Sequence, residues 1–125
     1  MKNKAVVAAV VLIAVFLMGF LPQYIKANRL ERELAQARQS VTDAELRDLA
    51  SVAFLQASQK NFGLAAETVA RFFSRVGEAA AGRKAVEELA ASRDKITAEL
   101  ARGDAAAVTD LQELVLKTRA ATGAR

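Results

Sequence analysis

The chain has 125 residues and a formal net charge of +4, with 53% hydrophobic and 26% charged residues. It contains no Cys, His or Trp, which excludes disulfides, thiolate or imidazole metal sites, and catalysis by the most common general base and nucleophile. Beyond an apolar N-terminal stretch, about 100 residues are left, enough for one small domain.

The positive charge is concentrated near the N terminus. Residues 1–40 carry a net charge of +4, residues 41–82 a net charge of −1, and residues 83–125 a net charge of +1. No basic run with interleaved aromatic residues follows, so we expect no nucleic-acid partner. The basic residues after the apolar stretch either contact anionic lipid headgroups or are ordinary flanking charges: Lys26, Arg29, Arg32 and Arg38.

The apolar stretch predicts a transmembrane anchor over residues 1–25. Residues 5–21 contain no charged residue, and the uncharged stretch continues to Ile25, a helical length of about 31 Å that matches the hydrocarbon thickness of a bilayer. The alternative is a cleaved secretory signal peptide. The end of the apolar run, Gly19 to Pro22, lacks the A-x-A pattern of a cleavage site, which favours an uncleaved signal-anchor.

The charges that flank the anchor nearly balance, with Lys2 and Lys4 on one side and Lys26, Arg29 and Arg32 on the other. A short N-terminal tail most simply stays in the cytoplasm, and a long following domain is translocated largely regardless of its charge. We therefore predict a single-pass inner-membrane protein of a bacterial envelope, with its C-terminal domain outside the cytoplasm.

A basic helical stalk is predicted over residues 26–41, because most of these residues are good helix formers. Pro22, just before it, lacks a backbone N–H and is expected to kink the helix near residues 18–21. The stalk carries an apolar seam at spacings of 4, 3 and 4: Leu30, Leu34, Ala37 and Val41. The seam covers fewer than three heptads, so it predicts either dimerisation or packing of the stalk on its own domain.

A helical-hairpin domain is predicted over residues 42–121. Thr42 and Glu45 match a capping box, which predicts a helix start at Thr42. Apolar residues then repeat at the helical period: Leu46, Leu49, Ala50, Ala53, Phe54 and Ala57. Residues 60–63 are turn formers, and a second helix ending at Gly77 or Gly82 has its own apolar face: Ala65, Val69, Phe72, Phe73 and Val76.

The last third predicts a second hairpin, with a helix break near Ser92 and a stop and cap at Gly103 and Asp104. Its first helix has an apolar face formed by Val86, Leu89, Ala90, Ile96 and Leu100. Its final helix has a stripe formed by Val108, Leu111, Leu114, Val115 and Thr118. Fraying is expected from Ala120 onward, with a disordered tail at residues 122–125.

The two hairpins align as an internal repeat of 42 residues, which pairs residues 60–73 with residues 102–115. The first copy resembles the middle of a tetratricopeptide repeat, in which Asn61, Phe62 and Ala65 match a turn of the type Gly-Asn-Tyr and the small residue that follows it. Lys60 replaces the turn glycine of that family, Ala53 replaces its helix glycine, and its usual period is 34 residues. The resemblance implies a surface that binds peptides or partner proteins.

The aromatic and acidic residues that could form a site are predicted to pack in the core or to face solvent, rather than to bind a ligand or act in catalysis. The aromatic residues occur at helical spacing among Leu and Val, which predicts packing rather than a cofactor pocket: Phe54, Phe62, Phe72 and Phe73. The acidic groups lack a His partner and are predicted to be solvated: Asp43, Glu45, Asp48, Glu87 and Glu88. No glycine-rich phosphate loop is present. We predict no catalytic, cofactor-binding or metal-binding residues.

These patterns predict an all-α protein with a transmembrane helix, a helical stalk and two α-hairpins forming a small bundle. We expect no enzyme and no cofactor; a hydrolase that uses carboxylates is the least favoured interpretation. The predicted function is a membrane-anchored scaffold or accessory subunit that presents a protein-binding surface, with the lipid bilayer and other membrane or envelope proteins as partners. The alternative is a self-associating structural membrane protein, a homo-oligomer.

Overall fold

The computed structural model describes residues 2–123, and the secondary structure within this range is helical, without a strand. The helices are α1 (Lys2–Ser58), α2 (Phe62–Ala79), α3 (Lys84–Glu87), a 3₁₀ helix (Glu88–Ser92), α4 (Arg93–Ala101) and α5 (Ala106–Ala121). The predicted all-α class is confirmed. The chain divides into two compact units, residues 1–38 and residues 39–125.

The first unit is helical throughout its described residues. Its large apolar side chains are exposed. In its most hydrophobic segment, no residue is buried by the part of the chain that the structure describes. Phe16 and Phe20 lie one turn apart, and their rings stack with centroids 5.8 Å apart. Pro22 lies inside the helix, so the helix does not end there. This apolar helix is long enough to cross a membrane.

The predicted helix start at Thr42 is wrong, because α1 extends from Lys2 to Ser58 without a break. The residues before Thr42 are good helix formers, so their backbone carbonyls accept the N–H groups that a cap would otherwise satisfy. A capping-box pattern inside a helix-forming stretch therefore does not start a helix.

The second unit is built around one hydrophobic core, whose largest fully buried side chain is that of Phe72. All the apolar positions predicted for α2 are buried, namely Ala65, Val69, Phe72, Phe73 and Val76. The part of α1 from residue 39 onward contributes Leu46, Ala50, Ala53 and Ala57, and the later helices contribute Val86, Leu89, Ile96, Leu100, Ala107, Leu111 and Leu114. The helical period of the sequence thus predicted most of the core.

Polar contacts join α1 to α2 at two levels. Arg75 Nε lies 3.1 Å from Glu45 Oε1, and Thr68 Oγ1 donates a hydrogen bond to Gln56 Oε1 at 2.7 Å. The earlier residue of α1, Glu45, contacts the later residue of α2, Arg75, and the later residue of α1, Gln56, contacts the earlier residue of α2, Thr68. The two segments therefore run antiparallel.

The turn after α1 is a Schellman motif with Lys60 in the left-handed conformation at φ 62°. The N–H of Asn61 donates to the Gln56 carbonyl at 2.8 Å, and the N–H of Lys60 donates to the Ala57 carbonyl at 3.0 Å. These bonds satisfy carbonyls that the helix end leaves open. The predicted turn at residues 60–63 is confirmed, although α2 already begins at Phe62.

The predicted stop and cap at Gly103 and Asp104 are also confirmed. Gly103 has φ 64°, and the N–H of Asp104 donates to the Glu99 carbonyl at 2.9 Å. Asp104 Oδ1 then accepts a hydrogen bond from the backbone N–H of Ala106 at 2.9 Å, which satisfies a free donor at the start of α5.

The end of α5 is ordered further than the predicted tail. Ala120 and Ala121 are helical, and Thr122 Oγ1 accepts a hydrogen bond from Arg47 Nη1 at 3.0 Å. Gly123 follows in the left-handed conformation. Residues 124–125 of the predicted tail lie outside the described residues.

Candidate interaction groove

A groove of about 280 Å³ lies on the second unit between the 3₁₀ helix and α5. It meets a neighbouring depression of about 320 Å³, and both are lined by Glu88, Leu89 and Lys117. We call the two together the 3₁₀ groove. Its other lining residues are Ala85, Ala91, Ser92, Lys95, Ile96, Asp110, Glu113, Leu114, Ala120 and Ala121.

The 3₁₀ helix sets the shape of one wall. Leu89 of the 3₁₀ helix lies three residues after Val86 of α3, and both are buried, whereas Ala90 is exposed. The prediction that Ala90 belongs to the buried face is therefore wrong, because it assumed an unbroken α-helical period. Ser92 Oγ donates to the Leu89 carbonyl at 3.2 Å. Near Ser92, where a break was predicted, the 3₁₀ helix passes directly into α4.

The floor of the 3₁₀ groove is apolar and its side walls are small. Leu89, Ile96 and Leu114 are buried core residues whose edges reach the groove. At its far end the walls include Ala120 and Ala121, which leave room for a neighbouring side chain or backbone to approach closely. A surface with an apolar floor and short walls suits contact with another polypeptide better than enclosure of a small ligand.

The rim of the 3₁₀ groove carries both signs of charge. Lys117 Nζ lies 2.6 Å from Glu113 Oε1, one turn away on α5, and Lys95 Nζ lies 3.0 Å from Asp110 Oδ2, which joins α4 to α5. The hydrogen bond to Asp110 raises the pKa of Lys95 above its ordinary value. Glu88 adds an exposed negative charge on the opposite wall. The mixed rim is typical of the polar edge of a protein-binding surface.

Beside the groove, Glu99 and Asp110 form a carboxyl pair. Glu99 is 5% exposed, and Lys95 Nζ lies 4.0 Å from Glu99 Oε1 and 3.0 Å from Asp110 Oδ2. Burial, followed by the hydrogen bond with Asp110, raises the pKa of Glu99 above its ordinary value of 4.5. The hydrogen bonds from Lys95 and then Glu99 lower the pKa of Asp110. A hydrogen bond between the two carboxyls, with Lys95 beside Asp110, accounts for the raised pKa of Glu99 and the lowered pKa of Asp110.

The two shifts act on stability in opposite directions. Because the pKa of Glu99 is raised in the folded state, its contribution to stability is complete below 4.5 and is lost as the pH rises through the raised value. Because the pKa of Asp110 is lowered from 3.8, its contribution is complete above 3.8 and is lost as the pH falls through the lowered value.

A second depression, of about 700 Å³, lies between the second-unit part of α1 and α2. Arg75 crosses it and pairs with Glu45 at 3.1 Å and with Glu78 at 2.9 Å. Leu49 and Ala70 supply its apolar lining. This apolar lining is smaller than that of the 3₁₀ groove, where Leu89, Ile96 and Leu114 all reach the surface, so the 3₁₀ groove is the better suited of the two to bind a partner.

The structure confirms the predicted roles of several residues that were considered as candidate site residues. Phe72 and Phe73 are buried with their rings edge to face at 5.0 Å, and Phe54 and Phe62 pack against the core, so all four are packing residues as predicted. Glu87 and Glu88 are exposed, as predicted.

Asp43 contradicts the prediction that the acidic residues are solvated. It is 7% exposed and accepts two hydrogen bonds from Arg83, at 2.7 Å from Nη1 to Oδ1 and 3.1 Å from Nη2 to Oδ2. This paired geometry joins α1 to the residue that precedes α3. The sequence gives no signal for a contact between residues forty positions apart.

The carboxyl pair of Glu99 and Asp110 was also missed from the sequence. Lys95 and Glu99 have the i, i+4 spacing of a surface ion pair, which is the only local signal. Within the described residues, no group of three or more Asp, Glu, His or Cys residues is placed to hold a metal ion.

Comparisons with known proteins give no family model, no curated protein and no solved structure that matches this chain. The resemblance to a tetratricopeptide hairpin stays a prediction.

Proposed function

We propose that this protein is a single-pass membrane protein whose helical domain presents a protein-binding surface, as a scaffold or accessory subunit of an envelope complex. The observation that carries the proposal is the contrast between the two units. The apolar residues 5–21 are exposed, whereas residues 39–125 bury an apolar core of their own. An apolar helix with no protein around it is stable in lipid, and a unit with its own core needs no lipid.

The domain is proposed to be two α-hairpins packed as a small bundle. The antiparallel contacts of Glu45 with Arg75 and of Gln56 with Thr68 support the first hairpin. The turn at Gly103 and the ion pair of Lys95 with Asp110 support the second. This is also the arrangement that the resemblance to tetratricopeptide hairpins implies, and in that family such hairpins bind other polypeptides.

The binding surface is proposed to be the 3₁₀ groove, and its ligand a polypeptide segment of another membrane or envelope protein. The apolar floor formed by Leu89 and Leu114 favours a segment with an apolar face. The alternating charges of Lys95, Glu113 and Lys117 favour a ligand with charges of both signs at its edges over a polyanion.

Anchoring and orientation are tested on whole cells. We propose that residues 1–25 are retained and that the domain lies outside the cytoplasm, anchored in the inner membrane. Protease added to cells stripped of their outer barrier is expected to digest the domain, and the mass of the undigested protein is expected to include residues 1–25. A mature protein that lacks the apolar stretch contradicts the anchor, and a domain protected from the protease contradicts the orientation.

The binding surface is tested by photocrosslinking with a benzophenone amino acid placed at Ala120 in the 3₁₀ groove. The matched control is Ala98, an exposed alanine of α4 that does not line the groove. We expect a crosslink from position 120, but not from position 98, to a different protein of the solubilised membrane. Equal crosslinking at both positions, or recovery of the protein alone, contradicts the proposed surface.

A further inference from the structure

The stalk exposes apolar side chains that nothing in the described part of the first unit covers. Leu30 is 65% exposed and Leu34 is 51% exposed, although both lie in a regular helix. Ala27 and Ala37 lie on the same stripe, at the spacings of 3, 4 and 3 that keep residues on one face of a supercoiled helix. A monomer gains nothing from leaving two leucines one turn apart in water.

The charges beside this stripe indicate what covers it. With Ala27 and Leu34 at heptad position a, and Leu30 and Ala37 at position d, the flanking g positions hold Lys26 and Glu33, and the flanking e positions hold Glu31 and Arg38. In a parallel dimer each g residue faces the e residue five positions later on the other helix.

Both of these facing pairs are attractive when the partner is a second copy of this chain. Lys26 faces Glu31 of the second copy, and Glu33 faces Arg38 of the second copy, so the dimer forms four pairs of opposite charge. Within one chain Arg29 Nε already lies 3.3 Å from Glu33 Oε1. A carboxylate accepts several hydrogen bonds, so Glu33 is able to bind both arginines.

We propose that residues 26–38 form a parallel, in-register, two-stranded coiled coil between two copies of this chain. The parallel orientation rests on the anchor of the proposed function, because two chains that enter one membrane through residues 5–21 leave it on the same side. The short seam is insufficient for a stable dimer between free helices. Confinement to a membrane raises the effective concentration of the second helix, which compensates for the small buried surface.

The chain contains no cysteine, so single-cysteine variants test the dimer without background. Ala37→Cys places the thiol at position d, and Ala35→Cys places it at position b on the outer side. Both are the same substitution at exposed positions of one helix. Under mild oxidation of isolated membranes, we expect at least about fivefold more disulfide-linked dimer for Ala37→Cys than for Ala35→Cys, because position d brings the two Cα atoms within bonding range and position b does not.

The charge pairs are tested in the Ala37→Cys background. Glu33→Lys and Arg38→Glu each place like charges in opposition and are expected to reduce the disulfide-linked dimer. The double variant restores opposite charges and is expected to recover most of it. Equal crosslinking at positions 35 and 37, no dimer at either position, a disulfide with a different protein at position 37, or no recovery in the double variant overturns the proposal.

Carbonate extraction of the same membranes separates this proposal from the proposed function. A protein that stays in the membrane but forms no dimer from Ala37→Cys overturns the coiled coil and leaves the anchor supported. A protein that is released from the membrane but still forms this dimer overturns the anchor and supports the homotypic contact.

Discussion

The ion pair between Asp43 and Arg83 is expected to be the most important polar contact of the domain. Counting side-chain atoms alone, Asp43 is 10% exposed and Arg83 is 23% exposed. Removal of one member leaves the other without its partner, and the cost depends on how well water reaches the remaining group. The more buried Asp43 is harder to hydrate, so loss of Arg83 should cost more than loss of Asp43.

We expect Arg83→Met to lower the free energy of unfolding by about 3 kcal/mol, at the low end for a broken buried pair because neither side chain is completely buried. Asp43→Asn keeps the shape and one acceptor, and leaves the better hydrated Arg83, so we expect a loss of about 1.5 kcal/mol. The double variant should lose less than the two single losses together, by about 1 to 2 kcal/mol.

The assay is urea unfolding of the full chain in non-ionic detergent, followed by circular dichroism at 222 nm. Detergent is expected to hold the apolar N-terminal helix, so the transition should report the helical domain. Arg93→Met is the matched control. Among the described residues Arg93 pairs only with its exposed neighbour Asp94, at 3.4 Å, so the substitution should change stability by less than about 0.5 kcal/mol. Losses that simply add in the double variant would refute the coupling between Asp43 and Arg83.

Four further substitutions test other parts of the fold by the same assay. Phe72 is completely buried, so Phe72→Ala should lower the free energy of unfolding by about 4 kcal/mol through lost burial and a cavity. Lys60 has a positive φ, so Lys60→Gly should raise the free energy of unfolding by about 1 kcal/mol by removing backbone strain. Asp104→Ala removes the acceptor for the start of α5 and should cost about 1 kcal/mol. Glu99→Gln removes a carboxyl whose burial raises its pKa, so the variant should lose the decline in stability that the unaltered protein shows as the pH rises above 4.5.

Each of these expectations has an outcome that contradicts it. A loss below about 2 kcal/mol for Phe72→Ala would show that the core collapses to fill the site. Destabilisation by Lys60→Gly would mean that the lysine side chain contributes more than the backbone conformation costs. An unchanged pH profile for Glu99→Gln would mean that Glu99 does not hold the raised pKa.

The core of the domain was largely predictable from the sequence, but the groove was not. The period of 3.6 residues locates Leu46, Val69 and Leu111 in the core because a surface helix buries one stripe. The 3₁₀ helix from Glu88 to Ser92 changes that period to three residues per turn, which exposes Ala90 and shapes a wall of the groove. Residues 88–92 alone do not show this change, since all five are tolerated in an α-helix.

Local signals determined the helix ends unless a stronger local preference opposed them. Gly103 and Asp104 ended one helix and began the next because left-handed backbone and a side-chain acceptor are both local requirements. Thr42 and Glu45 formed an equally good capping pattern, but the helix-forming residues before them extended α1 past this point.

By itself, the sequence determined the all-helical class, the apolar N-terminal helix and most of the residues that form the core, because each follows from composition and from a short-range repeat. Only the tertiary structure decided which charged groups are buried. Asp43 in α1 meets Arg83 just before α3, and Glu99 in α4 meets Asp110 in α5. The desolvation of a charge depends on every element packed around it, and no pattern along one helix contains that information.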